Sequence, residues 1–376
     1  MMYDVIVVGG GPTGLSSSIS LLSNDLDVLI LEEHKEVGIP RHCTGVVSES
    51  LIKLVGYPAE ASIINRINKA KFKSPSGYTF ELSFEKYTNF ILDRILFERN
   101  LLREFEKKGG NILYNKKVKK IEILNDKVAV KFDGNTLYTK FVFIASGTHV
   151  KLIDGYKPPN SFPSIQYEIE DSVENKNEVE LIFTKEAKGF FLWKAPTSDN
   201  SYLIGLGRKD IYSKYYLDSF LKKNNIKGKI KAVYSGRIIF DKPLSRPYFK
   251  NAVLVGDAAG HSKATTGGGL FYGILGSKIA AEIVSKYLAK ELPVNYVELE
   301  YMERKHVISY LNNTYTLAKY FYALSDKQYD ILIKALSKIQ SKISINPDYQ
   351  DYHHTYIIDF ILNPKLAVQF IKSFIS

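Results

Sequence analysis

Three glycines, Gly9, Gly11 and Gly14, follow an apolar run and precede a helical pattern. A GxGxxG in that setting permits a tight turn, close approach of backbone to a pyrophosphate, and packing of helix on strand. The helix N-terminus adds free N–H groups and partial positive charge. Glu32, at the end of the next apolar run, can accept hydrogen bonds from a ribose, with Glu33 the less favoured neighbour. A second stretch, "LVGDAAGHSKATTGGGLFYGILGSKIAAE", sets a strand before Gly256 and Asp257 and a small-residue helix after Gly267, Gly268 and Gly269. Asp257 can accept from polyol hydroxyls, and the glycines let backbone N–H groups approach a flavin ring and its ribityl chain. NAD has no ribityl chain, so the two stretches together point to FAD. The chain's single cysteine, Cys43, lies in "GIPRHCTG" beside Arg41 and His42. A lone cysteine is ordinarily a small packing group, and its neighbours alone do not decide its chemistry.

Positioning these residues requires an apolar strand, a glycine turn, a helix and a second strand over 28–31: a βαβ unit. Short strands are expected over 65–84, a helix over 93–108 ended by Gly109 and Gly110, then hairpins with "ND" and "DGN" turns. Residues 151–247 read as strands with one helix over 211–223, which predicts an antiparallel sheet. The apolar character of the first domain resumes at 248, and past Leu292 the sequence is helical and rich in tyrosine. The expected fold class is α/β: a discontinuous Rossmann-like FAD-binding domain (1–150 and 248–290), an antiparallel-sheet substrate domain (151–247) and a helical C-terminal segment (291–376).

With 45% hydrophobic residues over 376, the chain can bury a substantial core. One cysteine excludes an intramolecular disulfide framework and any CxxC site, and the seven histidines lack metal spacing, so no metal is expected. No basic leader precedes the first apolar run and no stretch is long enough to span a bilayer, which predicts a cytoplasmic protein. A charge of +11 favours anionic partners such as phospholipid head groups. No nucleic-acid motif accompanies it, and a basic surface can also be merely solvated.

Within the glutathione-reductase-like flavoproteins, "GIPRHCTG", Asp93-Arg94, "GFFLWKAP" and "GDAAGHSKATTGGG" resemble the geranylgeranyl reductase family over residues 1–282. The resemblance implies FAD-dependent saturation of isolated double bonds in isoprenoid chains of membrane lipids or their precursors. It implies cofactor contacts at Arg41, Cys43 and Arg94, a role for Cys43 at the reacting edge of the flavin, and an isoprenoid pocket lined by Phe191, Trp193 and Pro196. It further implies an isoprenoid lipid substrate and an external electron donor, NADPH or reduced ferredoxin. The chain departs from the family motif at Phe191 (tyrosine in the family), Ala195 (phenylalanine) and Ala264 (often proline).

Phe191 and Trp193 share a strand face, because side chains alternate, and can floor a slot for a long apolar chain. A sole tryptophan in a strand is otherwise a core residue. At the C-terminus, Asn363 and Pro364 read as cap and first helical residue. Leu366, Phe370 and Phe374 then form an apolar face for the protein's own core or, alternatively, for peripheral membrane contact. Two other functions fit the same scaffold: a flavin monooxygenase or halogenase, since "FLWKAP" is similar to part of a halogenase signature, and a non-catalytic flavin- or lipid-binding protein. "ASG" at 145–147, in place of an acid-glycine pair, disfavours the hydroxylases.

Overall fold

The structure, a computed structural model, describes residues 2–148, 151–290 and 296–339. Its first sheet is built around Tyr3–Val8, which lies parallel between Val28–Leu31 and Asn135–Ile144. Ala252–Leu254 continues it on one side and Asn111–Leu113 on the other, both parallel. Alternate residues of the central strand are buried on both faces: Val5 and Val7 against helices, Ile6 and Val8 against the hairpin Val118–Ile123/Val128–Phe132. That explains why these strands read as continuous apolar runs rather than alternating ones.

The helix Pro12–Leu22 starts at a proline, which needs no N–H partner in a first turn. Ser17 and Ser18 bond back to the Gly14 carbonyl at 2.9 and 2.8 Å, so these two hydroxyls stay satisfied while buried. It packs between the helices Arg94–Lys107 and Leu270–Lys290. Two short helices, Glu49–Val55 and Tyr57–Glu60, were not foreseen; the first is capped by the Ser48 hydroxyl, which accepts from the Leu51 N–H.

The second sheet runs in the order Lys229–Ile239, Ser161–Glu170, Ser201–Gly207, Leu192–Ser198, Glu178–Ile182, Lys69–Lys73, Thr79–Ser83. Residues 151–247 are therefore not a self-contained antiparallel domain. The hairpin at 69–83 leaves the first domain to join this sheet, and its pairing with Glu178–Ile182 is parallel. It covers what would otherwise be an open edge. On one face, Ile165, Tyr167, Leu192 and Leu206 pack under the helix Ser213–Lys223. The opposite face carries the site.

Beyond Leu270–Lys290 come Tyr296–Glu303, a π-helical turn Arg304–Ile308, Ser309–Phe321 and Asp326–Ile339. The helix expected around Asn363 and Pro364 lies outside the described residues. Among the described residues, no helix is long and apolar enough to cross a membrane.

Candidate functional site

The parallel strands end together at Val8, Leu31, Ile144 and Leu254. In open α/β sheets, ligands bind in this crevice beyond the carboxyl ends. Gly9 has φ +106°, and a Cβ there would meet the Ala145 carbonyl oxygen at 2.4 Å. A Cβ on Gly14 would meet the Gly9 carbonyl oxygen at 2.0 Å, whereas one on Gly11 would meet nothing within 4 Å. The first and third glycines are thus demanded by the protein itself. The middle one faces open space, as an approaching diphosphate requires.

Glu32 accepts from Gly10 N–H at 2.6 Å through Oε2, and its Oε1 accepts from His34 N–H at 2.9 Å. Glu33 pairs instead with Lys117 at the surface. The two glycine-rich stretches meet at Thr13: a Cβ on Gly256 would lie 2.8 Å from its Oγ1, and one on Gly273 3.0 Å from it. Asp257 sits in the same corner, with its Oδ1 3.0 Å from where a Gly269 Cβ would be. Gly267 takes φ +72° just before the helix, with Gly268 and Gly269 following it.

Asp93 caps the helix Arg94–Lys107, accepting from Ile95 and Leu96 N–H at 3.0 and 3.1 Å. That cap fixes Arg94 in the first turn, where its side chain is buried and donates to Glu98 Oε1 at 2.5 Å. Burial works against its charge, but Glu98 and the neighbouring Cys43 more than offset this and hold the guanidinium firmly protonated. Burial likewise pushes the Asp257 carboxyl up, against the opposing pull of Arg94. Arg94 Nε is buried without an acceptor among the described residues. A buried guanidinium N–H left without an acceptor, on a residue coupled to both Cys43 and Asp257, suits an acceptor-bearing group such as a flavin.

Cys43 accepts from Gly45 N–H at 3.4 Å, and Gly45 presses on the strand end before Arg94, its would-be Cβ 2.5 Å from the Leu92 carbonyl oxygen. The same loop docks on the second sheet. His42 Nδ1 lies 2.7 Å from the Ser235 carbonyl, and its own carbonyl lies 3.2 Å from where a Gly236 Cβ would be. Arg41 stacks 5.0 Å above the Tyr234 ring and donates to the Cys43 carbonyl at 3.3 Å, so its described contacts brace the loop rather than the glycine turns. Thr44 Oγ1 donates to Gln166 Oε1 at 2.7 Å, and Trp193 Nε1 donates to the same oxygen at 3.3 Å. Gly205 lies in register between Gln166 and Trp193. A Cβ there would meet both side chains, at 2.5 and 2.6 Å.

Phe191 stacks on Phe190 at 4.3 Å and meets Trp193 edge-on at 6.0 Å. Strand alternation turns Pro196 to the other face, away from Trp193, while its carbonyl accepts from Asn65 at 2.7 Å. Tyr322, from the C-terminal helices, packs 5.1 Å from Phe190 and donates to the Thr265 carbonyl beside the glycines. Phe191 and Trp193 thus come together with the Cys43 loop, whereas Pro196 does not. The site residues that sequence reasoning missed are Thr44, Gln166, Tyr234 and Tyr322; the adjacency of Thr44 to Cys43 was the one local signal.

No family model matches the chain. A digeranylgeranylglycerophospholipid reductase of Methanocaldococcus jannaschii is 27% identical over 361 residues, covering 90% of this chain and 91% of that protein. The chain is a homologue of these reductases. An uncharacterised protein of the same organism is 29% identical over 359 residues, covering 89% and 88%. Among solved structures, a geranylgeranyl bacteriochlorophyll reductase-like protein of Thermoplasma acidophilum superposes with a TM-score of 0.85 at 21% identity, covering 96% and 98%. A halogenase solved in complex with FAD follows at 0.67 and 14%, covering 98% and 85%. These likenesses show the fold, one shared with a halogenase that was solved with FAD.

Proposed function

We propose that the protein is an FAD-dependent reductase that saturates isolated carbon–carbon double bonds in the geranylgeranyl chains of a lipid or lipid precursor, working in the cytoplasm with access to a membrane surface. The observation that carries this reading is the reach of one loop. Residues 41–45 touch Arg94 beside the glycine corner on one side, and Gln166, Ser235 and Gly236 of the aromatic-bearing sheet on the other. In this reading the aromatic face would take the apolar chain next to the cofactor cradle.

In this reading Gly11, the N-terminus of Pro12–Leu22, Glu32, Arg94, Asp257 and the glycines at 267–269 hold FAD, which in its reduced form supplies hydride. An isolated alkene is a poor electrophile, so the protein must contribute orientation, dryness and a proton source. Phe191 and Trp193 would orient the chain and exclude water. Cys43, held by Gly45 N–H and beside the Arg94 guanidinium, would position the alkene or move a proton. The electron donor would be external, and the charge of +11 suits a phosphate head group at a membrane.

The test is expression in a host that makes geranylgeranyl lipids, followed by mass spectrometry for a gain of two hydrogens per reduced bond. A folded, yellow protein that leaves these lipids unchanged defeats the substrate assignment. Oxygen-dependent hydroxylation or halogenation of an added substrate would move it to the monooxygenase class.

A further inference from the structure

Gln166 is 2% exposed, and its two amide atoms are in unlike states. Oε1 accepts twice, from Thr44 Oγ1 and Trp193 Nε1. Nε2 is buried with no partner among the described residues. The amide cannot be turned around to remedy this, because an indole N–H only donates and must face the oxygen. Gly205 completes the arrangement: any larger residue would wedge between Gln166 and Trp193. A buried amide nitrogen carrying two unused protons is costly to keep, and native structures rarely keep one without a use.

We propose that Gln166 is a ligand-binding and specificity-determining residue, whose side-chain N–H group donates to an uncharged oxygen acceptor on the molecule held between the Cys43 loop and Trp193. This rests on the flavin-and-lipid reading above and extends it, since that reading uses only the Gln166 oxygen and gives its amide nitrogen no role. Two sources offer such an oxygen: a carbonyl of the flavin ring, and an ether or hydroxyl oxygen where the isoprenoid chain joins its head group. A neutral donor amid aromatic side chains matches a neutral acceptor, and a pure hydrocarbon at this spot would leave it unpaired. The expected discrimination between oxygen-bearing and oxygen-free ligands is roughly tenfold to a hundredfold.

The decisive variant is Gln166→Met, which keeps the side chain's length and a weak sulfur acceptor for Thr44 and Trp193 and removes every polar-hydrogen donor; Gln166→Leu replaces it if the methionine variant does not fold. Trp193 is the sole tryptophan, so its emission reports whether the Gln166–Trp193 contact survives. Full-length protein is titrated with FAD, and the FAD-loaded form with a digeranylgeranylglyceryl phospholipid in detergent and with an oxygen-free polyprenyl hydrocarbon. Weaker FAD binding by tenfold or more assigns the oxygen to the flavin. Weaker phospholipid binding with FAD affinity unchanged, and lost preference over the hydrocarbon, assigns it to the lipid. Affinities for both within twofold of wild type, in a folded variant with unshifted emission, overturn the proposal. A wild-type protein that binds FAD and no prenyl lipid defeats the reductase reading instead, and the FAD titration alone then decides the role of Gln166.

Discussion

Gly11→Ala separates folding from cofactor binding. At φ −72° and ψ 179°, alanine adopts the native backbone without strain, and its Cβ would touch no protein atom within 4 Å. Stiffening the unfolded chain stabilises by about 0.4–1 kcal/mol, while alanine is a poorer N-cap than glycine by a similar amount. The apoprotein should therefore melt within about 3 °C of wild type. The same Cβ projects toward the space a diphosphate would enter, and losing one charge-assisted N–H contact costs about 1.5–3 kcal/mol, or roughly 10- to 150-fold in FAD affinity. Gly9→Ala and Gly14→Ala make the contrast. Their Cβ atoms would lie 2.4 and 2.0 Å from backbone oxygens, so they should lose about 1–3 kcal/mol of stability from overpacking even without cofactor. The assays are thermal melting of apoprotein and FAD titration followed by flavin absorbance. A Gly11→Ala protein that binds FAD as wild type does would refute the assignment of this turn, as would one that fails to fold.

Gly205→Ala should lower Tm by at least about 3 °C and shift Trp193 emission to the red, because a Cβ 2.6 Å from Trp193 must displace it; unchanged emission would contradict the packing described. Cys43→Ser should retain FAD and lose prenyl reduction by tenfold or more, and equal turnover would remove Cys43 from the chemistry. Burial lifts the Glu303 carboxyl to about 8, above its ordinary 4.5, so its contribution to stability is full at acid pH and lost as pH rises toward 8. Glu303→Gln should flatten that decline, worth a few kcal/mol, in melts run from pH 5 to 9. Burial lowers His261 to about 4, which acts oppositely: stability falls as pH drops from 6.5 toward 4, and His261→Phe should remove that fall.

The glycine turns, Glu32, Asp257 and the start of the helix at Asp93 were legible in the sequence because each is a local device, written within a few residues of the element it serves. Gly256 and Thr13, 243 positions apart, come into contact because parallel strands from both ends of the chain share one sheet, which the resumed apolar run at 252–254 announced. The placement of 69–83 was not legible: its pairing partner, Glu178–Ile182, lies a hundred residues on, and no local pattern names a distant partner. Gln166 was hidden for a related reason. In "PSIQYEI" it occupies an ordinary polar position of an alternating strand, and only the approach of Thr44 from one side and Trp193 from the other gives it meaning. Pro196 entered only through the resemblance, and its odd spacing from Trp193 sets it on the opposite face of the strand.

The excursion of 69–83 into the second sheet has an evolutionary corollary. Backbone enters that sheet at Lys69, leaves at Ser83, returns at Ser161 and departs at Ile239, so the two sheets are stitched together rather than strung in series. Neither layer can be exchanged between relatives as an interchangeable cassette, since excising 151–247 strips two strands from its flank. A substitution along the seam where the 41–45 loop meets the second sheet therefore touches both layers at once.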